Sequence, residues 1–184
     1  MIQSITLPMT PEVRLNLKAG DLVKLSGVLY TARDAAHKRL IELLKKGMEL
    51  PMPIRDQVIY YVGPSPAPAG RIIGSAGPTS SYRMDSYAPA LLDLGLSGMI
   101  GKGLRSPEVV EAMKRNGAVY FGAVGGAAAL IAQTITQAQV IAFEDLGTEA
   151  VRRLTVRDFP AVVLIDSRGN SLYETGPAQY GAHA

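Results

Sequence analysis

Hydrophobic and polar residues alternate in two runs near the start of the chain. The first run contains Val13, Leu15 and Leu17, and the second covers residues 22–30. A period of two residues is typical of strands that bury one face, and residues 18–21 have the polar and glycine composition of a turn. The pattern therefore predicts a β-hairpin over residues 13–30.

The apolar spacing becomes helical after residue 32. A helix is expected over residues 33–46, with Gly47 as its C-cap and a proline-containing loop over residues 48–53. Its apolar face consists of Ala36, Leu40, Leu43 and Leu44. Beyond it we expect a buried strand at 58–62, an extended proline-rich loop at 63–70, a short strand at 71–74, a turn at 77–83 and a helix at 87–95.

The second half of the chain alternates strands and helices. Ser106-Pro107-Glu108 combines an N-cap serine, a proline at the first helical position and an acidic first turn, so it predicts a helix that ends near Gly117. Strands are expected at 98–100, 118–121 and 140–143, a small-residue helix from Gly125, and a closing hairpin over 161–173. These elements indicate a layered mixed-sheet α/β domain over residues 1–175, with a flexible tail at 176–184.

Composition excludes several classes of protein. The 184 residues carry a net charge of only +3 without a dense basic run, so nucleic-acid binding is not expected. No apolar stretch is long enough to predict a membrane span, and no N-terminal signal peptide is evident, so we expect a cytoplasmic protein. There is no cysteine, and His37 and His183 are the only histidines; we therefore expect this chain alone to hold no metal and no iron–sulfur cluster.

Three predicted turns carry cationic side chains. Arg33 begins the first helix, Arg83 follows the hydroxyl residues Thr79, Ser80 and Ser81, and Lys102 lies between two glycines. Backbone N–H groups at helix starts bind anions, and hydroxyl and guanidinium groups add donors. We therefore predict one pocket for a small substrate with more than one negative group.

Each of these residues also has a structural explanation. Arg33 could be a surface residue, although the helix dipole disfavours a cation at that end. Asp34 could hydrogen-bond to His37, one turn along, or only cap the helix. The three hydroxyl residues could serve as turn and capping residues.

Two further features of the sequence also leave alternatives open. The spacing around Lys102 does not match a phosphate-binding loop, and Gly125-Gly126-Ala127 favours close helix packing over nucleotide binding. Glu144 and Asp145 could be a catalytic pair, or they could be solvated or paired with Arg152 or Arg153. Arg39 is expected to be solvated.

The order of these motifs resembles one family, the iron–sulfur hydro-lyases of the class I fumarase and L-tartrate dehydratase type, and specifically their β subunit. The likeness covers residues 5–175, and Ser80 departs from it, since the family commonly has a second threonine there. The matching stretches are Thr31-Ala32-Arg33-Asp34-Ala35-Ala36-His37-Lys38-Arg39, Tyr61-Val62-Gly63-Pro64, Gly77-Pro78-Thr79-Ser80-Ser81-Tyr82-Arg83-Met84-Asp85, Gly101-Lys102-Gly103, Gly125-Gly126-Ala127-Ala128-Ala129-Leu130, Glu144-Asp145-Leu146-Gly147-Thr148-Glu149-Ala150 and Asp158-Phe159-Pro160.

The resemblance implies a swivelling β/β/α domain and a partner α subunit. That subunit would supply three cysteines to a [4Fe–4S] cluster with one open iron, in an α2β2 assembly. Arg33, Arg83 and Lys102 would bind substrate and Thr79 would be catalytic, with Asp34, His37, Ser80 and Ser81 in supporting positions.

The implied reaction is the reversible hydration of fumarate to (S)-malate, in which the open iron acts as a Lewis acid on the hydroxyl group and a base removes a proton from the adjacent carbon. Dehydration of L-tartrate is the alternative within the class. A non-catalytic carboxylate-binding or assembly module is the alternative from another class.

Overall fold

The computed structural model describes residues 1–123 and 128–180, which form a mixed α/β fold around a seven-stranded sheet. The strands are β1 (Ile2–Thr6), β2 (Leu22–Thr31), β3 (Val58–Tyr60), β4 (Gly98–Gly101), β5 (Val119–Ala123), β6 (Ile135–Ala142) and β7 (Val151–Ile165). The α-helices are α1 (Pro11–Asn16), α2 (Asp34–Lys45), α3 (Ala88–Asp93), α4 (Pro107–Asn116), α5 (Ala128–Thr134) and α6 (Leu172–Tyr180).

The strand pairings close a ring. β2, β3, β4 and β5 are joined in parallel, and β7 runs antiparallel to both β5 and β2. β1 adds to β2 in parallel, and β6 adds to β7 in the antiparallel direction. Four parallel strands therefore end at the same edge of the sheet.

Two hydrophobic cores lie on the two faces of these strands. Within the β3 region Tyr60 belongs to one core and Ile59 and Tyr61 to the other, as alternation along a strand requires. Helices α2, α3 and α4 pack on the second core through Ala36, Leu40, Ala88, Leu91, Leu92, Val109, Ala112 and Met113. The helices thus form a layer on one face of the sheet.

Local capping signals give the correct bounds for α4. Ser106 Oγ accepts a hydrogen bond from the Val109 N–H group, and Pro107 occupies the first helical position. Gly117 ends the helix with φ of 62°, the left-handed conformation that glycine adopts without steric cost. The predicted helix from Ser106 to Gly117 is confirmed.

The predicted hairpin over residues 13–30 is wrong in its first half. Residues 11–16 form α1, whose N-cap Thr10 accepts a hydrogen bond from Val13 N–H and is followed by Pro11. β2 pairs instead with β1, which the sequence pattern did not predict. The capping signal of Thr10 and Pro11 outweighs the short alternation, since Val13 and Leu15 are both exposed.

The chain departs from the prediction in two other places. Residues 71–74 form no regular strand, and the closing hairpin is wrong because α6 replaces its second arm. Ser171 Oγ accepts from the Tyr173 N–H group and so caps the start of α6. The helix continues to Tyr180 across the start of the predicted tail; residues 181–184 and Gly125-Gly126-Ala127 lie outside the described residues.

None of the helices in the part of the chain that the structure covers is long and apolar enough to cross a membrane.

Gly27 should tolerate no side chain. It has φ of 131° at the β2–β7 register shift, and a Cβ atom there would lie 2.5 Å from the backbone oxygen of Leu7. We expect Gly27→Ala to lower the free energy of unfolding in urea by about 3 kcal/mol, since it adds backbone strain to a clash with main chain.

Gly117→Ala is the matched control. Gly117 also has a positive φ, but no atom would lie within 4 Å of its Cβ. Gly117→Ala should lower the free energy of unfolding by about 1 kcal/mol. Equal losses for the two variants would contradict the steric argument.

Candidate functional site

The candidate residues follow strands that end at one edge of the sheet. Arg33 comes two residues after β2, and Lys102 directly follows β4. Thr79 reaches the same edge from a loop, because its N–H group donates to the carbonyl oxygen of Tyr61, the residue after β3, at 2.7 Å. Parallel pairing of the strands therefore brings the turns of Arg33, Thr79 and Lys102 to one edge of the sheet, although they are distant in sequence.

The Arg33 side chain fills a narrow space at the start of α2. It is the N-cap residue of the helix but makes no capping hydrogen bond with its side chain. A Cβ atom at Gly63 would lie 2.8 Å from Arg33 Nη1, so the guanidinium occupies space that only a glycine leaves free. The Nε atom lies 3.2 Å from Glu149 Oε1, in an orientation that forms an ion pair but no hydrogen bond.

Asp34 brings the two arginines together. Its Oδ2 atom lies 2.7 Å from Arg83 Nη2 and 3.8 Å from Arg33 Nη2. The Arg83 side chain is 45% exposed and that of Arg33 22%, so both side chains are partly exposed to solvent. Two cations that approach one carboxylate oxygen form a site that can bind carboxylates.

Lys102 is joined to the same site through its backbone. It forms a parallel bridge with Ser80, and its carbonyl oxygen accepts from Ser81 N–H at 2.9 Å. Its exposed side chain lines a separate cavity of about 330 Å³ with Leu164 and Tyr173. The turn of Lys102 thus lies beside the hydroxyl turn, and the cavity that Lys102 lines includes neither Arg33 nor Arg83.

The three consecutive hydroxyl residues have different environments. Ser81 is fully buried, and its Oγ accepts from Lys102 N–H at 3.1 Å and lies 2.8 Å from Tyr120 Oη. Thr79 and Ser80 are only partly buried. Ser81 is therefore a structural residue, whereas Thr79 and Ser80 are partly exposed at this edge of the sheet.

His37 hydrogen-bonds to the backbone and not to the side chain of Asp34. Its Nδ1 atom lies 2.9 Å from the carbonyl oxygen of Arg33, so Nδ1 carries the proton, and its ring packs edge-on against Tyr61. Burial lowers the pKa of His37 to about 4. Neither alternative for Asp34 holds, because it neither bonds to His37 nor caps α2, but pairs with Arg83.

The acidic segment after β6 also differs from the prediction. Asp145 pairs with Arg39 through two hydrogen bonds of 2.7 and 2.5 Å, so Arg39 is not simply solvated. Arg152 donates to three backbone carbonyl groups instead of to Glu144 or Asp145. The residue of this segment that reaches the site is Glu149, through its ion pair with Arg33.

Arg105 is the residue near the site that sequence reasoning missed. Its side chain is fully buried, and its Nε donates to Asp85 Oδ1 at 2.7 Å. The guanidinium lies over the rings of both Tyr61 and Tyr120. The available signal was an arginine immediately before the N-cap serine of α4, a place where a buried cation is unusual.

A larger cavity borders the segment that carries Glu149. It has a volume of about 560 Å³, and Pro64, Ile72, Val140, Thr148 and Arg152 are among its lining residues. It contains neither of the two paired arginines nor Thr79. Its size therefore does not make it the candidate site.

Two observations limit metal binding by this chain. The sequence has no cysteine, and across residues 1–123 and 128–180 no group of three or more histidine, aspartate or glutamate residues is arranged to hold a metal ion. The residues present do not fit an iron–sulfur cluster, which needs thiolate ligands.

Comparison with known proteins assigns the family. The family model for the fumarase C-terminus matches residues 3–176. The chain belongs to this family. The resemblance to class I fumarases and tartrate dehydratases is thereby confirmed.

Two of the similar proteins are class I fumarate hydratases, one of them putative, that are much longer than this chain. The chain is 44% identical over 154 residues to the anaerobic class I fumarate hydratase of Escherichia coli. The matched region is 83% of the chain but only 28% of that enzyme. It is 36% identical over 176 residues to a putative class I fumarate hydratase of Geobacillus stearothermophilus, covering 93% of the chain and 33% of the relative. The chain thus spans about a third or less of these relatives.

A third relative has nearly the same length as the matched region. The putative L(+)-tartrate dehydratase subunit beta of Methanocaldococcus jannaschii is 40% identical over 164 residues, which is 86% of the chain and 84% of that subunit.

The buried His37 predicts a pH-dependent stability. Its pKa is about 4 in the folded protein and about 6.5 in the unfolded chain, so between these values the unfolded chain binds the additional proton. Stability should therefore fall as the pH decreases from 6.5 to 4, by roughly 3 kcal/mol from this group.

Urea unfolding at pH 7 and pH 4.5 measures this effect. His37→Asn keeps a donor for the Arg33 carbonyl and should reduce the loss between the two pH values. An identical loss in the wild-type chain and in His37→Asn would contradict the assignment.

Proposed function

We propose that this chain is the β subunit of an iron–sulfur-dependent hydro-lyase that hydrates fumarate reversibly to (S)-malate. The observation that supports it most is the approach of Arg33 and Arg83 to one carboxylate oxygen of Asp34. Fumarate and malate each carry two carboxylate groups, and each of the two guanidinium groups can pair with a carboxylate. The fold would then be the swivelling β/β/α domain of this family.

In this proposal the arginines bind and orient the substrate. Each guanidinium can donate two parallel hydrogen bonds to a carboxylate, which fixes the plane of the substrate as well as its position. The positive charge also stabilises the additional negative charge that develops on a carboxylate when the adjacent carbon loses its proton. Lys102, on the neighbouring turn, would add a third cation.

Thr79 is the proposed base on this chain. Its N–H group donates to the Tyr61 carbonyl, which fixes the Thr79 backbone at the edge where the substrate would lie. A threonine hydroxyl is a weak base in water, and the positive charge of Arg83, four residues along the chain, would stabilise its deprotonated form. The proton taken from the substrate carbon would then rest on the Thr79 oxygen.

The cluster would belong to a partner α subunit. This chain has no thiolate for it, so the partner would supply the cysteine ligands, in an α2β2 assembly in the cytoplasm. When bound, the cluster would supply a Lewis acid for the hydroxyl group of the substrate. The single-chain relatives support such a partner, since about two thirds or more of their length lies outside the matched region.

Dehydration of L-tartrate is a second candidate function. The M. jannaschii relative is named as the beta subunit of a tartrate dehydratase, and the chain covers 84% of it. Tartrate is also a dicarboxylate, so the arginine pair suits both substrates. A non-catalytic carboxylate-binding module remains the alternative if no α subunit accompanies the chain.

Reconstitution tests the proposed function. The chain should be co-expressed anaerobically with an α subunit and assayed with fumarate, malate and tartrate, alongside the chain alone. We expect turnover only in the complex, since the lone chain has no cluster ligands. Turnover by the lone chain, or none by a complex with an intact cluster, would contradict the proposal.

Thr79 and Ser80 should separate catalysis from turn structure in the complex. We expect Thr79→Ala to lower kcat by about 100-fold or more, as for loss of a general base, with a smaller effect on KM. Ser80→Thr, which keeps the hydroxyl, should change kcat less than about 2-fold. Full turnover by Thr79→Ala together with an inactive Ser80→Ala would place the base on Ser80.

Arg83→Lys should impair the complex although the charge is retained. Lysine lacks the planar pair of donors, so we expect kcat/KM to fall by about 10-fold or more. Arg115→Lys is the control, because Arg115 makes a two-bond contact with Asp93 on the exposed surface, away from the candidate site. Equal effects of the two substitutions would argue against a role of Arg83 in substrate binding.

A further inference from the structure

We propose that the buried Arg105 is a positioning residue that holds the Thr79 turn, the Arg83 turn and the Lys102 turn in one fixed arrangement. Its guanidinium contacts one group that leads to each turn: Tyr61, Asp85 and Tyr120. The inference rests on the proposed function for its catalytic consequence, whereas the arrangement itself can be tested on the chain alone.

The first connection runs through Tyr61 to Thr79. Arg105 Nη2 donates to Tyr61 Oη at 3.3 Å, and the guanidinium carbon lies 5.3 Å from the centre of the ring. The backbone of Tyr61 accepts from Thr79 N–H and donates to the Ile100 carbonyl. Tyr61, whose carbonyl oxygen holds the Thr79 backbone, is therefore itself held against the Arg105 guanidinium.

The second connection runs through Asp85 to Arg83. Asp85 Oδ1 accepts from Arg105 Nε at 2.7 Å, and Oδ2 accepts from Ser106 N–H at 2.6 Å. Asp85 directly follows the 3-10 helix Ser81–Met84, which carries Arg83. A carboxylate anchored on both oxygens therefore fixes the end of the helical turn from which Arg83 extends.

The third connection runs through Tyr120 to the Lys102 turn. The guanidinium carbon lies 5.0 Å from the centre of the Tyr120 ring. Tyr120 Oη is 2.9 Å from the Gly103 carbonyl and 2.8 Å from Ser81 Oγ, which accepts from Lys102 N–H. The carbonyl can only accept, so Tyr120 donates to it and Ser81 donates to Tyr120, which satisfies every contact at once.

Gly101 shows how closely these turns fit. A Cβ atom on Gly101 would overlap Ser81 Oγ and lie 3.0 Å from the Tyr61 ring. The backbone before Lys102 thus packs directly on both the hydroxyl turn and the tyrosine. A displacement of any one part would be transmitted to the other two, because no free space separates them.

Lysine cannot replace arginine at the centre of this cluster. An ammonium group could pair with Asp85, but it is a single point of contact on a flexible stem. It could not also lie flat against two aromatic rings and donate to Tyr61. Arg105→Lys should therefore keep the buried charge paired while it releases the two tyrosines.

Amide hydrogen exchange on the full chain measures the arrangement directly. We expect Arg105→Lys to accelerate exchange of the Thr79, Ser81 and Lys102 amides by about 10-fold or more. The Leu7 and Val163 amides, which are hydrogen-bonded elsewhere in the fold, should change by less than about 2-fold. The surface variant Arg115→Lys should change none of them.

A second variant covers the case in which Arg105→Lys does not fold. Tyr120→Phe keeps the ring over the guanidinium but removes the hydroxyl that joins Ser81 to Gly103. It should accelerate exchange at Ser81 and Lys102 and leave Thr79, which is held through Tyr61, protected. Loss of protection at all three amides, or at none, would overturn the proposed connections.

The reconstituted complex tests the consequence for catalysis. We expect Arg105→Lys to lower kcat by about 10-fold or more and to raise KM less than kcat falls, because a displacement near 1 Å is enough to misplace a base. Uniform acceleration of exchange at every amide would show a role in overall stability only and overturn the proposal. Local acceleration with unchanged kcat would overturn the catalytic consequence of the proposal.

The two proposals fail in different ways. A wild-type complex that converts none of the three substrates would contradict the proposed function. The exchange pattern of Arg105→Lys and Tyr120→Phe would still decide whether Arg105 positions the three turns.

Discussion

Parallel pairing of β2, β3 and β4 is the constraint on which the candidate site depends. Each strand ends at the same edge, so the residues that follow them meet although the chain separates them by up to about seventy positions. The ring is closed by β7, which pairs with β2 on one side and β5 on the other. Because the register of each strand in the ring is fixed by at least two neighbours, the turns at this edge begin from rigid positions. This is the usual way in which α/β proteins place binding groups on loops while the sheet supplies stability.

Charge at this edge is arranged in two layers with different properties. The outer layer contains Arg33, Asp34, Arg83 and Glu149, whose side chains are partly exposed. A ligand carboxylate could therefore replace Asp34 or Glu149 as the partner of an arginine at a modest cost in free energy. The inner layer is the buried pair of Arg105 and Asp85, which would be costly to separate because neither charge has water to replace its partner. An exchangeable outer layer over a fixed inner layer is what a binding site for a charged substrate requires.

Local signals in the sequence predicted the parts of the structure that depend on local chemistry. The caps of α4, the start of α2 at Arg33 and the β-α alternation after residue 98 are all encoded within a few residues. The failures have the opposite character. β7 continues through Pro160, which reads as a strand breaker, because its fifteen residues are supported by three neighbouring strands.

The ion pairs of the site could not be predicted for a related reason. Arg39 and Asp145 are 106 positions apart, and Arg105 pairs with Asp85 twenty positions earlier, so only the tertiary fold shows them. The sequence motifs indicated Arg33 and Arg83 as functional residues, but not that Asp34 lies between them. The structure of the reconstituted complex with bound malate or fumarate would test the central claim most directly. The account predicts that the guanidinium groups of Arg33 and Arg83 lie within hydrogen-bonding distance of the ligand carboxylates, with Asp34 displaced from at least one arginine. A ligand bound in the complex without contact to either arginine would contradict it.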